Sequence, residues 1–189
     1  MNQPNTPSVD MLRQHCKALC LPTTRQIVGD ALETARREDC PLETFLHFLL
    51  EQELAGRRQR RIQRRIKESH LPPGKTLSAF DQKRLPLRVR RQLSQLRRGE
   101  LLDRAENLLF FGLPGTGKTH LAAALGYEWI ANDRSVFFTP TYQLVGRLLR
   151  AKRDLELERE LRRLDRFQVV ILDDIGYVQQ SREEMEVLF

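Results

Sequence analysis

The sequence predicts an α/β protein: a parallel-sheet core preceded by an N-terminal helical domain. Three observations carry that reading. Up to about residue 70 apolar side chains recur at helical spacings of three and four. From Asn107 onward short apolar runs alternate with helical stretches, the pattern of strands joined by crossover helices. The first of those runs ends in a glycine-rich turn that opens a helix. The expected organisation is a helical, basic region over 1–73, a linker with a short helix over 74–106, and the α/β core over 107–189.

The elements follow in order. Residues 1–10, with Pro4 and Pro7, read as a loose tail. Met11, Leu12 and Leu19 begin an apolar face that Pro22 interrupts; Ile27, Val28, Ala31, Leu32 and Ala35 resume it, giving a helical hairpin. Pro41 then starts a helix whose Leu42, Phe45, Leu46, Leu49, Leu50 and Leu54 form a wide apolar face. Beyond Gly56 that helix becomes basic, RRQRRIQRRIKESH, with Ile62 and Ile66 as its apolar residues. LPPG at 71–74 stops it and marks a hinge. Leu85–Leu96 is a shorter helix ending near Gly99. NLLFF (107–111) reads as a buried strand, Leu121–Ile130 as a helix, SVFFTP (135–140) as a strand, Tyr142–Leu164 as one or two helices, and VVILDD (169–174) as a strand. Trp129, Tyr127, Phe137 and Phe138 are assigned to the core, and His120 is given no chemistry.

Composition narrows the function classes. With 30% charged and 40% hydrophobic residues the chain is not predominantly disordered. No run approaches the roughly 18 apolar residues of a membrane span, and the polar start MNQPNTPSVD lacks a signal-peptide core, so the expected location is the cytoplasm. Cys16, Cys20 and Cys40 read as reduced thiols, because no second ligand pair at zinc-site spacing accompanies His15, Cys16 and Cys20. Net charge is +7, and the stretch from Arg57 to Arg98 concentrates it: fifteen Lys or Arg stand against Glu68 and Asp81. So dense a run of one sign repels itself until a polyanion neutralises it, which points to nucleic acid. Arg57, Arg58, Arg60, Arg61, Arg64 and Arg65, spread along and around one helix, are the candidate DNA contacts, suited to phosphates rather than base edges.

Gly112, Leu113, Pro114, Gly115, Thr116, Gly117, Lys118 and Thr119 fit G-x-x-x-x-G-K-[ST] without a mismatch. The glycines let successive amides point at phosphate oxygens, Lys118 adds a point charge, and the Thr119 hydroxyl is a magnesium ligand. The helix that follows directs its positive end to the same place. Asp173, ending the third apolar run, is placed to hold magnesium through water, and Asp174 beside it to polarise an attacking water. The expected ligands are therefore ATP and magnesium.

With these residues in view the chain resembles the IstB-like ATPases, transposition helpers of insertion sequences and relatives of the DnaC helicase loader. The resemblance runs through ELAGRRQRRIQRRIKESHLPPGKTLSAFD, ENLLFFGLPGTGKTHLAAALG and VVILDDIGYV with the following QQSREEMEVLF. It implies a P-loop NTPase core of the AAA+ type, ATP-driven homo-oligomeric assembly on DNA, and a transposase as partner, with a replicative helicase as the alternative. A nucleic-acid-binding remnant without ATP turnover is the reading from another class. In the family further strands bring a sensor residue, an arginine finger and a second sensor. Since the sequence ends at Phe189, the expectation is an incomplete core, either a fragment, a truncated copy or one completed by something else, and slow ATP hydrolysis.

Overall fold

A computed structural model describes residues 7–175 and 186–187. The chain divides into two compact units, Met1–Arg61 and Ile62–Phe189.

The first unit is helical. Helix α1 (Val9–Ala18) starts on Ser8, whose Oγ accepts from the Met11 amide at 3.3 Å, and it ends with His15 and Lys17 against the negative end of its dipole. Helix α2 (Pro22–Arg37) packs on α1 as the hairpin pattern predicts. Pro22 suits its first turn, but Leu21 supplies no side-chain cap. The cap comes from elsewhere in the chain: Glu53 Oε2 accepts from the Thr23 and Thr24 amides, both at 2.9 Å. Glu53 sits on α3 (Leu42–Ser69) and is 4% exposed.

The expected apolar face of α3 is buried only in part. Leu49 and Glu53 face inward, whereas Leu42, Leu46, Leu50 and Leu54 are all more than half exposed. Glu53 shares the face of Leu49, one turn away, and its burial is offset by the two first-turn amides it satisfies.

The second unit begins inside α3, where Ile62 and Ile66 pack against its core. The sequence-based boundaries at 73 and 106 differ from this division. Residues 74–106, expected to be a linker, contribute Leu77, Leu85, Leu93 and Leu101 to that core. The hinge expected at LPPG is docked as well: Leu71 is buried, and the Pro72 carbonyl accepts from Tyr127 Oη at 3.3 Å. A 3-10 turn (Gln82–Arg84) leads into α4 (Leu87–Arg98), and α5 (Glu100–Asp103) follows.

Helix α6 (Lys118–Ala131) is the spine of this unit, burying Leu121, Ala123, Ala124, Leu125, Trp129 and Ile130. A helix apolar on nearly every side must be covered on every side. Trp129 is in the core as predicted, and its Nε1 donates to the Leu96 carbonyl at 2.8 Å. Gly126 permits close approach, since a Cβ there would lie 2.9 Å from Leu71 Cδ2 and 3.0 Å from Ile171 Cδ1. Strand β1 (Val136–Pro140) is joined through α7 (Thr141–Arg153) and α8 (Leu157–Leu164) to β2 (Val169–Asp173). The two strands pair in parallel, with Val136 opposite Val169 and Pro140 opposite Asp173. Phe137 and Phe138 are buried as expected.

The predicted strand at 107–111 does not form. Leu108 and Phe110 pack toward the core while Leu109 and Phe111 are exposed, the alternation of a strand, but the run pairs with no strand among the described residues. A strand exists only with a partner for its amides and carbonyls, so side-chain periodicity alone does not make one. The second unit is mixed, with helices beside a short parallel sheet, as expected of a P-loop NTPase core. Among the described residues no helix is long and apolar enough to cross a membrane.

Candidate phosphate-binding site

The loop from Gly112 to Gly117 reaches the first turn of α6 through left-handed backbone. Gly115 has φ 77° and Gly117 φ 90°, and Gly117 is the N-cap. With no capping side chain there, the first amides of α6 have no partner within the helix and are available to an anion. Gly117 is also required by its surroundings, since a Cβ would lie 2.9 Å from Phe80 Cε2. Lys118 Nζ donates to the carbonyls of Gly112 (2.9 Å) and Leu113 (3.0 Å), and Thr116 Oγ1 donates to the Leu113 carbonyl at 2.8 Å. The lysine thus holds the loop in a closed curve with its cation inside it.

Asp173 closes the site from the sheet. Thr119 Oγ1 donates to Asp173 Oδ1 at 2.9 Å, joining the glycine-rich loop to the end of β2. Thr141 Oγ1, at the start of α7, donates to the Asp173 carbonyl at 2.8 Å and fixes the strand end. Asp174 is exposed and left-handed, φ 56°, where a short polar side chain is tolerated. The structure therefore brings Lys118, Thr119 and Asp173 together. Thr141 was missed by sequence reasoning because it sits in neither motif; its only signal is a position directly after a strand.

Two more contacts were missed. His120 Nε2 lies 3.0 Å from the Thr76 carbonyl, and its ring meets Phe80 edge-on at 5.0 Å between centroids. Together they press the TLSAF segment onto the turn that carries Lys118 and Thr119. Gly117→Ala is accordingly expected to cost about 1–3 kcal/mol through its positive φ and the collision with Phe80. Adding Phe80→Ala should recover part of that loss. A double-mutant cycle by urea unfolding with coupling under about 0.5 kcal/mol would contradict the contact.

Comparison with known proteins now adds to this geometry. The profile described as IstB-like ATP binding protein matches residues 14–189. The chain belongs to the IstB-like family. It is 44% identical over 172 residues to an insertion sequence ATP-binding protein of Sinorhizobium fredii, covering 90% of this chain and 58% of that one. It is 39% identical over 165 residues to the insertion sequence IS21 ATP-binding protein of Pseudomonas aeruginosa, covering 86% and 61%. With the IS5376 ATP-binding protein of Geobacillus stearothermophilus the identity is 35% over 180 residues, covering 95% and 72%. The chain thus spans about three fifths of the length of the first two relatives.

The six arginines expected at DNA fall into different settings in this IstB-like chain. Arg57 Nε and Arg60 Nη2 bind Glu53 Oε1 at 3.2 and 3.0 Å, and their other donors reach the Cys20 carbonyl and Thr23 Oγ1. These two brace the helical unit. Arg65 pairs with Asp133 at 3.2 Å and is only 23% exposed. Arg64 lies 3.9 Å from Glu68 with both side chains largely in solvent. Arg58 and Arg61 are exposed. Arg64 is exposed as well, and so are Arg57 and Arg60 beside their partners.

Proposed function

We propose that this chain binds ATP with magnesium at the loop 112–119 and assembles on DNA as a helper ATPase of insertion-sequence transposition. The observation that carries the reading is the Thr119–Asp173 hydrogen bond, which joins two motifs far apart in sequence into one site. The names of its relatives, all insertion sequence ATP-binding proteins, support it.

The residues fit magnesium. A hydroxyl and a carboxylate form an oxygen-only donor set, which suits a hard cation that keeps most of its ligands as water and phosphate oxygens. Thr119 and Asp173 would hold it, and when present it neutralises charge developing on the transferred phosphoryl group. Lys118 binds the outer phosphates, the first-turn amides of α6 orient them, and the exposed Asp174, next to Asp173 in the chain, would accept a proton from water.

DNA is held through its backbone. Arg58, Arg61 and Arg64 meet phosphates, so binding is largely independent of sequence. Replacing all three with alanine should weaken unrelated duplexes about equally and flatten the salt dependence by about 0.9 per lost contact. Fluorescence anisotropy with two unrelated duplexes checks this. A loss confined to one sequence, or none, would overturn it.

A further inference from the structure

Helix α4 (Leu87–Arg98) holds five arginines and no acid. Three of them are used within the fold. Arg90 Nη2 donates to the Lys83 and Leu85 carbonyls at 3.2 Å each, Arg97 pairs with Glu128 at 2.8 Å, and Arg98 lies 3.8 Å from Glu100. Arg88 and Arg91 are different: both are exposed, and neither has a hydrogen bond or ion pair among the described residues. The Lys83 ammonium, just before the helix, is likewise exposed and unpaired among those residues.

Packing fixes where these side chains look. Val89, Leu93 and Leu96 turn toward the core of the second unit, so at 3.6 residues per turn Arg88, Arg91 and Gln95 occupy the opposite side. Arg88 and Arg91 lie in the first two turns, where the helix dipole is positive and cations are disfavoured. The first turn contains no acid to offset them. Taken by itself, the fold gains nothing from two unpaired cations placed there. An external polyanion reverses the sign of the effect, since both guanidiniums and the dipole then attract it.

We propose that the outward face of α4, with Arg88, Arg91 and Lys83, is a second contact for the phosphate backbone of duplex DNA. This rests on the DNA-binding reading above and extends it into the second unit, so that the unit bearing the phosphate loop contacts DNA itself. The two arginines stand one turn apart, about 4.5 Å along the axis, within reach of neighbouring phosphates. Guanidiniums facing a repeating row of phosphates read charge and spacing, not bases.

The test uses the whole 189-residue chain carrying Arg88→Ala and Arg91→Ala together, compared with the Arg58, Arg61 and Arg64 triple variant and the unmodified chain. Among the described residues neither arginine has a partner to lose, so circular dichroism should be unchanged. Affinity for two unrelated duplexes should fall several-fold and equally, and the slope of log K against log salt should become shallower by about 1.8, two contacts at 0.9 each. If the triple variant weakens binding and the double variant does not, the α4 contact is overturned while the DNA reading stands. If the unmodified chain binds no duplex, both fall. Loss of binding to phosphatidylserine vesicles with DNA affinity intact would also overturn the proposal, assigning the face to a membrane surface.

Discussion

Replacing Glu53 with alanine is expected to destabilise the helical unit by about 3 kcal/mol. The carboxylate caps two α2 amides at 2.9 Å each and pairs with Arg57 and Arg60. Thr24 is buried, so its amide would find no replacement acceptor in water. The two arginines are half exposed and rehydrate, which places most of the loss on the amides and the carboxylate charge. Burial pushes the Glu53 carboxyl up, but the Thr24 amide, Arg57, the Thr23 amide and Arg60 outweigh it and hold it below the usual carboxylate range. A depressed pKa in the folded state means that its stabilisation is present above the unfolded value, about 4.3, and is lost as pH falls through the folded one. Urea unfolding followed by circular dichroism measures both effects. A change under 1 kcal/mol, or an acid limb unaltered by Glu53→Gln, would contradict this account.

Lys118→Ala should weaken ATP binding at least tenfold, on the order of 1.4 kcal/mol or more. The ammonium donates to the Gly112 and Leu113 carbonyls, so the substitution removes both a phosphate charge and the tie that curves the loop. Titration with a fluorescent ATP analogue reads the loss. Unchanged affinity would mean that the loop is not a phosphate site in this chain.

The elements that the sequence made legible are those whose signal is local. The glycine-rich loop, α6, β1 and β2 announce themselves by residue type and period, and each formed within a few residues of its expected position. What stayed hidden depends on partners distant in the chain. Glu53 caps a helix thirty residues upstream and pairs with Arg57 and Arg60, two of the arginines expected at DNA. Residues 74–106 read as a linker because LPPG precedes them and the pattern changes class after them, yet Leu77, Leu85, Leu93 and Leu101 all reach the same core. NLLFF failed as a strand for the converse reason: its side chains alternate correctly, but a strand is defined by its neighbour.

At the site, both motifs were readable and their meeting was not. Spacing places Thr119 on a helix and Asp173 at a strand end, but only the parallel register and the Thr141 bond set them 2.9 Å apart. That meeting is the central claim, and the most direct test is ATP-analogue affinity with and without magnesium, for the unmodified chain and for Asp173→Asn. The account predicts that magnesium tightens binding to the unmodified chain, and that the variant, which can still accept from Thr119 through its amide oxygen, keeps the magnesium-free affinity but loses the increment. Equal magnesium dependence in both chains, or no ATP binding by the unmodified one, would contradict it.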